Sequence, residues 1–530
     1  MQKENSTAKS ENARVAKAAG IVSSATLISR IFGLARDTVI AALFGAGWVT
    51  DAFWVAYRIP NMLRRFLAEG ALTVSFVPVF TEYLEKKGKD EALDLAYNVF
   101  TLLSIVSVVI CILGILLSPL VVTLIAPGFV GEPERFTLAV FLNRLMFPYL
   151  FFVSLTALCM GILNAFRHFT APALSPVLLN TAMIFCAFLL KDSFAEPITA
   201  LAVGVLVGGF LQLALQWPLL LTFGVRFRFK FNWNHPGMKK IGLLFVPAVF
   251  SGAINTINVF VGTILATLLP AGSVTYLFYA DRVMELPLGV FAFAVGTATL
   301  PSFSRHAALG NLQDLKSSIA FSLRITLFLI IPATVALLAL SLPIISVLFQ
   351  RGAFDVRAAV LTGQALFCYS LGLWAFSVAR IFTSSFYSLQ DSKWPMRAAI
   401  ITFVFNLAAS LILMGPLKHN GLALAGSLAA MVNVGVLAFI LRRKIGGFLD
   451  RAFFISIFKM IAAALTMLAA IGGVHWLTPW DTGASFLTRL TFLLTNMAVG
   501  ATVYFASAYL LKSSEIHAVI GLIRKRLTRA

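Results

Sequence analysis

The chain has 530 residues, of which 59% are hydrophobic and 12% charged, with a formal net charge of +20. Soluble domains carry about 25% charged residues, so this balance argues against a soluble enzyme or nucleic-acid-binding domain and for a polytopic membrane protein. The positive excess is spread over loops, tails and a few intramembrane positions, where membrane topology accounts for most of it.

Residues 1–19 are polar and basic, with no uninterrupted apolar core before Arg30 and no convincing cleavage site, which predicts a retained cytoplasmic tail and not a signal peptide. From Ile21 to Glu82 an apolar, helix-patterned stretch is broken by Arg30, Arg36, Asp37, Asp51, Arg58, Arg64, Arg65 and Glu69. A charge at the bilayer centre costs about 2.5–3.5 kcal/mol on insertion scales, and such residues usually face a bundle interior or a wet cavity. Asp51, Arg58 and Arg65 are seven apart in turn, and Glu69 follows four later, so they share one helical face. Arg30 and Asp37 repeat the seven-residue relation on the first helix. Gly45 and Gly47 mark the turn between the helices, and Pro60 is expected to interrupt the second. The competing reading is that single arginines snorkel to headgroups from helix ends.

Apolar runs fall near 20–44, 50–83, 92–125, 136–163, 170–190, 198–223, 241–269, 273–304, 317–349, 357–388, 395–414, 420–441, 453–477 and 484–511, which predicts fourteen spans. Alternate connections concentrate the loop cations, among them Lys86, Lys87, Lys89, the Arg226–Lys240 run and Arg442–Lys444, whereas the opposite loops hold Arg135, Lys191, Arg351, Arg357 and Lys418. That asymmetry predicts both termini inside. The connector's aromatic–basic interleaving fits anionic headgroups far better than RNA.

A repeat offset by about 225 residues pairs Ala46–Thr50 with Ala271–Thr275, Pro78 with Pro301, and Asn180 with Asn406. It predicts helices one to six duplicated as seven to twelve, entering from the same side, with two helices appended. The expected divisions are a tail (1–19), a first lobe (20–223), a basic connector (224–240), a second lobe (241–441), two further helices (442–511) and a basic tail (512–530). On the eighth helix lie Asp281, Arg282 and Glu285, either a neutralised structural cluster or a cavity group facing the first-lobe arginines. No phosphate loop, no metal-ligand spacing and no catalytic constellation occurs, so no metal and no cofactor is expected. The four cysteines are dispersed, which predicts no disulfide framework.

The motifs SRIFGLARD (29–37), FGAGWVTDAFWVAYRIPNMLRRFLAEGAL (44–72) and YADRVMELPLGV (279–290) resemble those of the MurJ (MviN) lipid II flippase family, and the likeness extends over nearly the whole chain. The resemblance implies an all-α exporter fold of the multidrug/oligosaccharidyl-lipid/polysaccharide superfamily, with fourteen transmembrane helices. Two pseudo-symmetric six-helix lobes would form a V, and the two extra helices would border a groove for the prenyl tail. It implies a transporter and not an enzyme, moving lipid-linked peptidoglycan precursor across the bacterial cytoplasmic membrane. Carried over by motif, Arg30, Arg36, Asp51, Arg64 and Arg282 are the implied substrate-binding residues. Asp37, Arg58, Arg65, Glu69, Asp281 and Glu285 are supporting cavity charges, with Arg58 standing where some relatives have Lys. Some members use a sodium site in the second lobe; here the seventh span offers Asn255 and Asn258 but no carboxylate. Lipid II and membrane lipids are the expected partners, the protein acting as a monomer, with coupling to membrane potential or a monovalent cation. The alternative is a related exporter of another lipid-linked oligosaccharide or of drugs.

Overall fold

The computed structural model describes the backbone of residues 2–64, 71–232 and 234–517; the side chains of 2–19, 21–23, 71, 248, 250–256, 292–294, 297 and 298 lie outside the description. Among the described residues there is no strand. Twenty α-helices follow one another: α1 (Gln2–Phe44), α2 (Trp48–Arg64), α3 (Ala71–Lys86), α4 (Lys89–Leu116), α5 (Ser118–Ile125), α6 (Pro133–Met146), α7 (Tyr149–Ala165), α8 (Thr170–Leu190), α9 (Thr199–Thr222) and α10 (Pro236–Thr267). The rest are α11 (Ser273–Pro287), α12 (Phe293–Ala308), α13 (Leu312–Ala339), α14 (Ser341–Phe349), α15 (Val356–Ser370), α16 (Leu373–Ser388), α17 (Lys393–Leu417), α18 (His419–Ile445), α19 (Arg451–Leu477) and α20 (Phe486–Leu510).

The order carries the repeat. A long helix (α1, then α10) comes first, two broken pairs (α4–α5 and α6–α7, then α13–α14 and α15–α16) and two unbroken helices (α8 and α9, then α17 and α18) come later, and this order occurs twice before α19 and α20. Among the described residues, nine helical segments are long and apolar enough to cross a bilayer, or ten if the bent pair α15–α16 is one span. Length and apolarity therefore account for nine or ten of the fourteen expected spans. The others include α2, α3, α11 and α12, with 17, 16, 15 and 16 residues, which carry charge and internal proline. Pro60 does not interrupt α2, which continues to Arg64. Helices in membranes tolerate proline because neighbouring groups re-satisfy the freed carbonyl.

The chain divides into two compact units, Met1–Gly272 and Ser273–Ala530. The first unit's core gathers Phe76, Phe80, Leu95, Leu158 and Ile162. Helix α10 packs against α3, α4 and α5 within this unit, so the compact division falls after α10 and not at the connector. The connector itself is docked on α3 and α4. Lys230 pairs with Asp94 and Lys240 with Glu82; Phe227 stacks on Phe100 at 4.3 Å; and the Asn232 N–H donates to Asn98 Oδ1 at 2.6 Å.

Close approach of α8 and α9 depends on Gly204 and Gly208. A Cβ would stand 2.8 Å from Met183 Cα at the first and 2.7 Å from Leu179 Cδ1 at the second. Small residues four apart let membrane helices pack where no hydrophobic drive exists. Gly208→Val is expected to cost at least about 1–3 kcal/mol by overpacking, read as a lowered unfolding temperature in detergent.

The second unit is built on Phe303, Leu315, Phe328, Ile381 and Leu441. Side-chain caps set several of its helix starts: Asp355 accepts from the Ala358 N–H at 2.7 Å and Asp450 from the Phe453 N–H at 2.8 Å. Tyr504 of α20 donates to the Phe328 carbonyl at 2.9 Å, tying the appended helices to α13. In the α16–α17 loop, Lys444 of α18 pairs with Asp391 and holds its carboxyl below the usual range. That partly exposed pair contributes under about 1 kcal/mol, fully present above the usual carboxylate range and lost as pH falls through the lowered value.

Candidate functional site

The turn after α1 is tight because Gly45 takes φ +66°, and Thr50 Oγ1 donates back to the Phe44 carbonyl at 3.1 Å. The turn redirects the chain, so that α1 packs on α8 while α2 packs on α6 and α7. On α1, Arg36 and Asp37 are 5% and 2% exposed. Arg36 Nε and Nη2 both donate to Asp37 Oδ1, at 2.9 and 2.6 Å, and Nη1 donates to Asn180 Oδ1 of α8 at 3.1 Å. The amide of Asn180 in turn donates to the Ser29 carbonyl at 3.4 Å. Arg36 is thus a buried, charge-assisted link between α1 and α8, whereas Arg30, two turns earlier, is exposed.

Asp51 on α2 is fully buried and holds three elements at once. Its Oδ2 accepts from Arg135 Nη2 of α6 at 2.8 Å and from the Gly272 N–H, at the end of the first unit, at 2.7 Å. Arg135 is 2% exposed, reaches Glu132 at 3.5 Å and lies over the Phe129 ring at 3.9 Å. The sequence reading had treated Arg135 as a loop cation. Its partner lies 84 positions away, so no local spacing revealed it.

Further along α2, half-buried Arg58 donates to Thr263 Oγ1 of α10. Arg64, also half-buried, donates from Nε to Asn61 Oδ1 at 3.1 Å. Asp51 and Arg58, expected on one charged face, therefore meet different neighbours: α6 for one and α10 for the other. Arg65 and Glu69 lie outside the described residues, as does the side chain of Asn255. In the second unit Arg282 lies over Phe278 at 5.1 Å and pairs with Glu285 at 3.4 Å, with side chains 40% and 55% exposed. Asp281 and Asn258 are half-buried.

These charges sort by accessibility. Arg36 with Asp37, and Asp51 with Arg135, are buried ion pairs that fix helices. Arg30, Arg58, Arg64 and Arg282 keep partial or full exposure. The four cysteines are unpaired, and among the described residues no group of three His, Cys, Asp or Glu could hold a metal ion.

The architecture defines the class first. An inward-facing multidrug resistance transporter of the MATE family and MOP superfamily superposes with a TM-score of 0.64 at 17% identity, covering 81% of this chain and 98% of that one. At that identity the likeness speaks for the fold alone, a multi-pass helical membrane fold. A family profile described as "Lipid II flippase MurJ" matches residues 40–491. The probable lipid II flippase MurJ of Rhizobium tropici is 38% identical over 518 residues, covering 96% of each chain. A solved structure titled "Lipid II flippase MurJ, inward closed conformation" superposes with a TM-score of 0.76 at 28% identity, covering 92% of this chain and 98% of that one. The chain belongs to the MurJ lipid II flippase family.

Proposed function

We propose that this protein flips lipid II, an undecaprenyl-diphosphate-linked disaccharide-peptide, from the inner to the outer leaflet of the bacterial cytoplasmic membrane. It acts as a transporter and not an enzyme. The observation that carries the reading is family membership along nearly the full length, joined to accessible guanidiniums at Arg30, Arg58, Arg64 and Arg282 within helices α1, α2 and α11. A diphosphate must cross about 30 Å of hydrocarbon. Guanidinium groups stay protonated and bind phosphate oxygens through paired donors, which suits them to that passage.

In this reading Arg64 and Arg282 contact the diphosphate, with Arg30 and Arg58 assisting. Arg36 and Asp51, first expected among the direct contacts, serve chiefly to hold α1 on α8 and α2 on α6. The prenyl tail stays in lipid along α19 and α20 while the headgroup crosses by alternating access of the two lobes. Moving one charge through 100 mV is worth about 2.3 kcal/mol, so membrane potential, or a monovalent cation, can bias the return of a cationic cavity. The protein works as a monomer with both termini cytoplasmic, in keeping with the loop-cation asymmetry.

Depletion of the protein in a growing culture is expected to accumulate lipid II facing the cytoplasm. Accumulation of a different lipid-linked oligosaccharide, or of lipid II already facing outward, would transfer the assignment to another exporter class.

A further inference from the structure

Between Arg357 and Asp391 the chain carries one charged residue, Arg380. It lies on α16, eight residues before that helix ends at Ser388, or about 12 Å along the axis. Charges at such depth in a membrane helix are rare, and they usually face a bundle interior or a wet cavity.

The side of α16 on which Arg380 sits identifies the medium it meets. From Ser377 to Ser388 every residue is buried except Arg380, Thr383, Ser384 and Tyr387. Spaced by threes and fours, these share one side of the helix, and each carries a polar group. A side turned to hydrocarbon has the opposite character, as on α19, which exposes Phe454, Phe458, Ile461 and Leu465. The uncovered side of α16 is therefore a wetted one.

Snorkelling to headgroups does not account for the arginine. Helical side chains lean toward the N-terminus of their helix, so Arg380 leans away from the nearer end of α16, beyond which Asp391 and Lys393 lie. Its stem crosses instead to α12, over a residue small enough to admit it: a Cβ on Gly296 would stand 3.2 Å from Arg380 Cγ and Cδ. The internal repeat shows that the fold does not require a cation here. Arg167 and Gln390, both with positive φ, stand just beyond α7 and α16. At that offset Ser154 matches Ser377, both fully buried, and Ala157, 6% exposed, matches Arg380.

We propose that Arg380 is a further contact of the transported lipid, taking an oxyanion of the headgroup, either a diphosphate oxygen or a carboxylate of the peptide, as it passes α16. The inference rests on the flippase reading above. A guanidinium offers paired donors to either group.

Equilibrium binding to the full chain in phosphatidylcholine nanodiscs tests this, with lipid II in one arm and undecaprenyl diphosphate in the other. Arg380→Gln is expected to weaken lipid II binding about tenfold and to flatten its dependence on salt, while Arg380→Lys recovers part of the affinity with the wild-type salt dependence. A loss shared by both lipids assigns the contact to the diphosphate, and a loss for lipid II alone assigns it to the peptide. Wild-type binding matched by Arg380→Gln at every salt concentration overturns this inference and leaves the flippase reading standing. A loss with unchanged salt dependence, or one equally large in Arg380→Lys, reduces the residue to a packing role and also overturns it. Failure of the wild-type protein to bind lipid II removes the flippase reading, and this inference with it.

Discussion

Replacing Arg135 by Ala is expected to destabilise the first unit by about 3–5 kcal/mol, the cost of removing one member of a buried ion pair. Asp51 would keep the Gly272 N–H but lose the Arg135 guanidinium, at a site that water does not reach. The measurement is thermal unfolding of the purified protein in detergent, together with its abundance in membranes. Asp51→Asn combined with Arg135→Met should recover most of the loss, because an amide still accepts from Gly272 and no charge stays buried. If Arg135→Ala unfolds within a degree or two of wild type, the pair contributes nothing to the fold and the buried assignment of Asp51 is mistaken.

Removing the accessible cations should behave in the opposite way. Arg64→Ala and Arg282→Ala, each expressed as the sole copy, are expected to fail to support growth while remaining at wild-type levels in the membrane. Arg64 gives up a local contact to Asn61, and Arg282 a half-exposed pair with Glu285, and exposed pairs of that kind are worth only about 0–1 kcal/mol. Loss of a charge-assisted diphosphate contact is larger, about 1.5–3 kcal/mol per hydrogen bond, or on the order of tenfold to a hundredfold in substrate affinity. Arg36→Ala provides the contrast: it removes the buried contacts to Asp37 and to Asn180 of α8, so its abundance should fall along with its activity. Normal growth with both Arg64→Ala and Arg282→Ala would remove the anion-site role from these residues.

How much of this was legible before the fold was known depends on how local each signal is. The apolar runs, the Gly45 turn and the duplicated order of elements are properties of neighbouring residues, and nine or ten of the expected runs are long apolar helical segments among the described residues. The charges of α1 and α2 were also visible, because an apolar chain makes every guanidinium conspicuous. Their partners were not. Asn180 lies 144 positions from Arg36, Arg135 lies 84 from Asp51, and Thr263 lies 205 from Arg58. A heptad spacing says which residues share a face but not which helix that face meets. The reading of one continuous charged stripe therefore merged a structural clamp with a more accessible cation. Pro60 misled for a related reason: proline removes one hydrogen bond, and in a packed membrane helix that loss is absorbed by neighbours.

The most direct test of the central claim is translocation in proteoliposomes holding fluorescent lipid II, with the outward-exposed fraction read by dithionite quenching. Wild-type protein should move lipid II, Arg64→Lys should retain part of the rate by keeping the charge while losing the planar paired donors, and Arg64→Ala should be inactive. Equal rates for Arg64→Ala and wild type would contradict the account, because a chain that carries a diphosphate through hydrocarbon without this cation does not use the chemistry described above.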